Sequence, residues 1–230
     1  MTHPYAEIAL DHCPASARAW LERALAASDA SEPGVALLPA FAGARRRLGE
    51  APVAPTLEQL HRLEAAGLEP PIGWPCADLG RAALLSVALA ALPSHAHAEL
   101  ANTLYTRGDN AERRAVLRAL PILPEPARFL ETAIDACRTH VVPVFEAIAC
   151  ENPYPERHFP DLAYNQLVLK ALFLEVPLAR VRGLLTRARP ELARMALDYA
   201  AERRAAGRPI PADIARIPGC APSEAGSPLR

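Results

Sequence analysis

Aromatic residues are scarce in this chain, at 5% of 230 residues, and long β-branched runs are absent. Strands draw on both kinds of side chain to fill a pleated surface, so their shortage argues against a sheet. The one β-branched cluster, Val141-Val142-Pro143-Val144, contains a proline that would interrupt a ladder. No stretch alternates apolar with polar residues over strand length. Apolar runs long enough to span a membrane, about 18 residues, are missing. No N-terminal segment pairs a basic region with an apolar core. The chain is therefore expected to be cytoplasmic and not membrane-spanning. The five cysteines (Cys13, Cys76, Cys137, Cys150, Cys220) never form a Cys-x-x-Cys pair, which argues against a disulfide framework and a zinc knuckle. An excess of charge is lacking too. The formal net charge is −1, so no global field gathers nucleic acid, which is not an expected partner. Also missing are the Gly-x-Gly-x-x-Gly, Walker, Gly-x-Ser-x-Gly and His-Glu-x-x-His motifs, which removes the well-marked enzyme classes. No metal site and no cofactor are assigned.

What remains is rich in Ala, Leu and Arg, all good helix formers. The expectation is an all-α protein of about ten helices with no sheet, packed as an antiparallel bundle or a short α-solenoid, although no strict repeat is present. Residues 1–210 are expected to form a single domain, with 211–230 a proline-rich tail whose last ten residues look disordered. The first helix is expected to follow Cys13-Pro14-Ala15-Ser16, and the second to end in Arg45-Arg46-Arg47 and Gly49, where cations complement the helix macrodipole. Thr56 and Gln59 have the spacing of a capping box, as do Asp109 and Glu112. Asp78 is expected to cap a strongly apolar helix reaching Leu92, and Ser94 the next. His95 and His97 are expected at the surface. Helices are further expected to Leu120, over 127–138 and 142–150, up to Leu174, over 178–187 and over 191–206.

The stretch from Glu151 to Leu174 concentrates polar residues against apolar ones. A loop stiffened by Pro153, Pro155 and Pro160 carries Glu151, Asn152, Tyr154 and His158. A helix apolar almost all the way round follows, interrupted by Asp161, Asn165, Gln166 and Lys170. Enclosed polar groups need partners, so the stretch is a candidate site. The alternative is that these residues only end one helix and start the next. Glu151, His158 and Asp161 are the candidates for acid–base chemistry, since a carboxylate and an imidazole near one helix start could exchange protons with a small polar molecule. Asn152, Tyr154, Asn165 and Lys170 are candidates for ligand binding. Arg107, Asp109 and Arg113 gather at a second helix start, where backbone N–H groups and a guanidinium could hold a phosphate or carboxylate. The plainer account there is a cap with surface arginines. Glu146 stands in an apolar segment, either as a buried acid or as that helix's one solvated position.

Thr106-Arg107-Gly108-Asp109-Asn110, Ala119-Leu120-Pro121-Ile122-Leu123-Pro124 and Val144-Phe145-Glu146-Ala147-Ile148-Ala149-Cys150-Glu151-Asn152-Pro153-Tyr154-Pro155 resemble the EboA-domain family. His158-Phe159-Pro160-Asp161, Asn165-Gln166-Leu167-Val168-Leu169-Lys170-Ala171-Leu172-Phe173 and Tyr199-Ala200-Ala201-Glu202-Arg203-Arg204-Ala205-Ala206-Gly207-Arg208 extend the resemblance over roughly residues 100–210. It implies a place in a bacterial biosynthetic gene set whose other products look like a membrane prenyltransferase, a sugar-phosphate cyclase of the dehydroquinate-synthase type and a metal-dependent hydrolase. Such sets make or move a small secondary metabolite. The resemblance carries no catalytic residue. Two functions are expected on these grounds. The first is binding, with or without acid–base conversion, of a small anionic or polyhydroxylated intermediate, in a pocket drawn from the helix near Asp109 and the loop 151–161. The second is a non-enzymatic scaffold or carrier docking on a membrane prenyltransferase-type pathway partner.

Overall fold

The computed structural model describes residues 3–29 and 33–220. Among them are thirteen α-helices, several 3-10 turns and two isolated β-bridges, and no strand. The protein is all-α. The chain divides into two compact units, Met1–Ile148 and Ala149–Arg230.

In the first unit α1 (Pro4–His12), α2 (Ala15–Ser28), α3 (Pro33–Leu48) and α4 (Leu57–Ala65) precede α5 (Cys76–Ala91). Then come α6 (His97–Arg107), α7 (Asn110–Ala119), α8 (Leu130–Ala136) and α9 (Val142–Ala149), which ends at the boundary. The unit is gathered round α5, which packs against α1, α2, α3 and α7. Ala and Leu fill most of α5, and its residues Cys76 to Ser86 are all buried. Gly80 permits the close approach of α3, because a Cβ there would collide with the Leu48 side chain. Thr56 and Asp109 cap α4 and α7 through complete capping boxes with Gln59 and Glu112, as expected.

The chain departs from expectation at several points in this unit. A helix stands before Cys13: α1 begins with Pro4 in its first turn, and the His3 side chain accepts a hydrogen bond from the Tyr5 N–H. Asp78 is not a cap. Pro75 occupies that position, and Asp78 lies three residues further in, fully buried. Ser94 opens a 3-10 turn rather than capping α6. His97 is buried, with Nε2 on the Leu92 carbonyl oxygen at 3.0 Å. That bond satisfies the end of α5 and draws the ring inward.

In the second unit α10 (Tyr154–His158), α11 (Asp161–Phe173), α12 (Leu184–Arg187) and α13 (Pro190–Ala205) follow. The expected loop over 151–161 winds into α10, because Pro155 in its first turn needs no N–H partner. The expected helix over 178–187 breaks at Gly183 (φ 78°), which separates a 3-10 turn from α12. α11 is not enclosed on every face. Tyr164, Asn165, Leu167, Val168, Ala171 and Leu172 are buried, whereas Leu162, Gln166 and Phe173 are exposed. The helix enclosed on every face is α5 over Cys76 to Ser86, while Ala90 and Ala91 at its end are exposed. Residues 212–216 form a 3-10 turn, and Ile217 beyond it is fully buried. The disorder expected of the last ten residues falls outside the described residues. No helix among the described residues is long and apolar enough to cross a membrane.

Candidate functional site

The sequence candidates in the second unit fall into local networks. The Glu151 carboxylate accepts two bonds from Arg180, from Nε at 2.8 Å and from Nη2 at 3.0 Å. Its backbone N–H donates to the Arg180 carbonyl oxygen at 2.8 Å. Glu151 has a left-handed backbone (φ 51°) and clamps the turn after α9 to the 3-10 turn at 178–180. Asn152 is buried, and its Oδ1 accepts from the Tyr154 N–H at 2.9 Å, closing the turn into α10. The buried Tyr154 ring lies 4.7 Å from the His158 ring and meets Phe159 edge-on. Burial, aided by the nearby Arg157, holds His158 below its ordinary pKa.

Asp161 pairs with Arg187 at 2.7 Å. Arg187 also donates to the carbonyl oxygens of Pro155 and Glu156, and its guanidinium lies 4.6 Å from the Tyr164 ring centre. Asn165, one turn after Asp161, faces the core instead. It is 2% exposed, and its Oδ1 has no hydrogen-bond partner. Lys170 is half-buried, as is Glu146 on α9. One helical turn apart, Asp161 and Asn165 thus occupy different environments.

In the first unit Arg107 is exposed at the end of α6. Arg113 donates to the carbonyl oxygens of Tyr105 and Thr106 and lies over the Tyr105 ring, joining α7 to the last turns of α6. The Asp109 Oδ1 accepts from the N–H groups of Ala111 and Glu112. Asp109 also borders a cleft of about 640 Å³ that the sequence did not announce.

That cleft exists because α3 presents Pro39, Ala42 and Gly43 on one side, residues too small to fill it. Arg45 and Arg46 extend the same helix along its edge, and Arg81 from α5 completes the cationic lining. Arg81 is 1% exposed. Its Nε donates to the Phe41 carbonyl oxygen at 2.9 Å, and its guanidinium lies 5.5 Å from the Phe41 ring centre. The nearest carboxylate contact is Asp78 Oδ1, 4.0 Å from Nη1, which is beyond hydrogen-bonding reach. Asp78 is occupied elsewhere. Arg114 takes both of its oxygens, at 2.7 and 3.1 Å, and Arg118 shares Oδ2 at 2.6 Å. One buried carboxylate thus faces three guanidinium groups, and Arg81 Nη1 is left without a hydrogen-bond partner. Burial lowers the proton affinity of Arg81, with Asp78 opposing, while the bond to Asp78 raises that of Arg114. Glu50 closes the edge, accepting from Arg45 at 2.9 Å and from Arg114 at 3.2 Å. Arg46 is exposed and makes no ion pair among the described residues.

Asp78 and Arg81 are the residues that reading for motifs missed. A signal was present: both interrupt a helix that is otherwise apolar on every face, the feature that drew attention to Asn165 and Lys170. No group of three or more His, Cys, Asp or Glu side chains suited to a metal ion occurs among the described residues.

Fold and site together define an all-helical protein with an arginine-lined cleft in its first unit. Residues 6–218 match the family model described as metabolite traffic protein EboA, and the chain belongs to that family. No curated protein and no solved structure matches it.

Proposed function

We propose that this protein serves metabolite traffic by holding a small anionic or polyhydroxylated intermediate without converting it. The observation that carries this reading is the cleft of the first unit, where Arg45, Arg46 and Arg81 line a hollow of small-molecule size. Family membership supports the metabolite. The local pairing of the acid–base candidates favours holding over conversion: Glu151 is held by Arg180 and Asp161 by Arg187, and neither is poised beside His158 for proton transfer. The test is native mass spectrometry of the full chain purified from its own cells. An anionic metabolite recovered unchanged after incubation is expected. A transformed metabolite would move Glu151, His158 and Asp161 into catalytic roles, and a protein that never retains a small molecule would overturn the reading.

The second reading, a scaffold for a pathway partner such as a membrane prenyltransferase, draws on a different surface. Leu162 and Phe173 on α11 and Leu197 on α13 are exposed. The second unit also carries a groove lined by Leu172, Val176, Pro177, Ile210 and Pro211. Phe173→Ser abolishing co-purification with that partner, with ligand retention intact, is the outcome this reading expects.

A further inference from the structure

Resting on the reading of the cleft as an anion site, we propose that the group it holds is a phosphomonoester on a hydroxyl-bearing carbon skeleton, with Arg81 and Arg46 as its receptors. Arg45 is paired with Glu50, and Arg114 and Arg118 are taken up by Asp78. Arg81 and Arg46 are not satisfied in this way: Nη1 of the first has no hydrogen-bond partner and the second makes no ion pair among the described residues.

A buried guanidinium N–H without an acceptor is costly, and a protein normally supplies the acceptor or leaves the group in water. Here the Phe41 carbonyl and ring fix the Arg81 side chain at the wall of the cleft, so its guanidinium loses little freedom on meeting a ligand. Two guanidinium groups with donors to give suit a group with about two negative charges and three acceptor oxygens, which is a phosphomonoester near neutral pH. A carboxylate has one charge and two oxygens and would leave one arginine poorly matched. Asp109 borders the same cleft. Its Oδ1 is committed to the α7 cap, which leaves Oδ2 to accept from a hydroxyl of the skeleton. The small residues Pro39, Ala42 and Gly43 leave room for that skeleton.

The test is isothermal titration calorimetry of the full chain with glycerol 3-phosphate, glycerate and inorganic phosphate. Glycerol 3-phosphate is expected to bind at least tenfold tighter than glycerate, with inorganic phosphate between them. Arg46→Gln, a change at an exposed position, is expected to weaken glycerol 3-phosphate about tenfold. Arg81→Met is expected to abolish binding, and a thermal melt no lower than that of the unaltered protein shows that folding is intact. Should Arg81→Met fail to fold, Arg46→Gln carries the test alone. Glycerate binding as tightly as glycerol 3-phosphate, with sensitivity to Arg46→Gln, would overturn the phosphomonoester and leave the anion site standing. Binding of glycerol 3-phosphate unchanged by Arg46→Gln would overturn the assignment of the receptors. Absence of binding by all three probes would overturn the proposal, while recovery of a bound metabolite by mass spectrometry judges the function independently.

Discussion

The two units hold their charged side chains differently. In the second, Glu151, Asp161, Arg180 and Arg187 pair locally, and each pair ties a turn to a neighbouring helix end. In the first, Asp78 is wholly buried among Arg81, Arg114 and Arg118, and the cluster lacks one acceptor. The contrast teaches that charged residues crowded into one stretch can satisfy one another locally, whereas a buried charged cluster can be left short of an acceptor. Exposed pairs contribute little to stability and bind nothing further, whereas a buried cluster with unmatched charge is costly without a ligand.

The comparison can be broken most sharply at Asp78. Asp78→Asn removes the charge shared by two close guanidinium groups, and the expected loss is about 3–5 kcal/mol in urea unfolding. A loss below about 1 kcal/mol would show that the cluster is no more coupled than the surface pairs. Cys76 sharpens the same contrast through pH. Burial pushes its thiol up to about 11, so the folded protein keeps the proton at pH values where the unfolded chain has released it. Its stabilising contribution is complete below the ordinary thiol pKa of about 8.5 and is lost as pH rises through about 11. Cys76→Ala is expected to flatten that part of the stability profile between pH 8.5 and 11, and an unchanged slope would contradict the burial account. In the second unit Arg187→Leu removes bonds to two carbonyl oxygens, an ion pair and a ring contact. It should cost about 1–2 kcal/mol by chemical unfolding. The smallest effect is expected at Glu151→Gln, below about 1 kcal/mol, because the pair with Arg180 is largely solvated. A cost there as large as at Asp78 would erase the distinction between the units.

Much of the fold was legible from local signals. The all-α class, the capping boxes at Thr56 and Asp109, and the end of α3 before Gly49 follow from propensity and end chemistry within a few residues. α1 was missed because its start has no Ser, Thr, Asp or Asn cap; His3 and Pro4 do that work. Asp78 resembled a cap because an acid precedes an apolar run. Its true partners, Arg114 and Arg118, stand 36 and 40 residues further along, and no local spacing joins them. The cleft was hidden for the same reason. Arg45 and Arg46 satisfy the rule for cations in a last turn, and only the packing of α3 on α5 brings them to a hollow shared with Arg81. Around Glu151, by contrast, the residue types were informative, but their partners, Arg180 and Arg187, sit on the far side of α11 in the chain. The networks they form could not be drawn from the stretch itself.

The proposed function places recognition in the arginine cleft and not in the polar segment between Glu151 and Asn165. Its most direct test is to purify the unaltered protein, Arg81→Met and His158→Ala identically and weigh the small molecule that each retains by native mass spectrometry. The account expects the anionic metabolite on the unaltered protein and on His158→Ala, and its loss from Arg81→Met; retention by Arg81→Met together with loss from His158→Ala would contradict it.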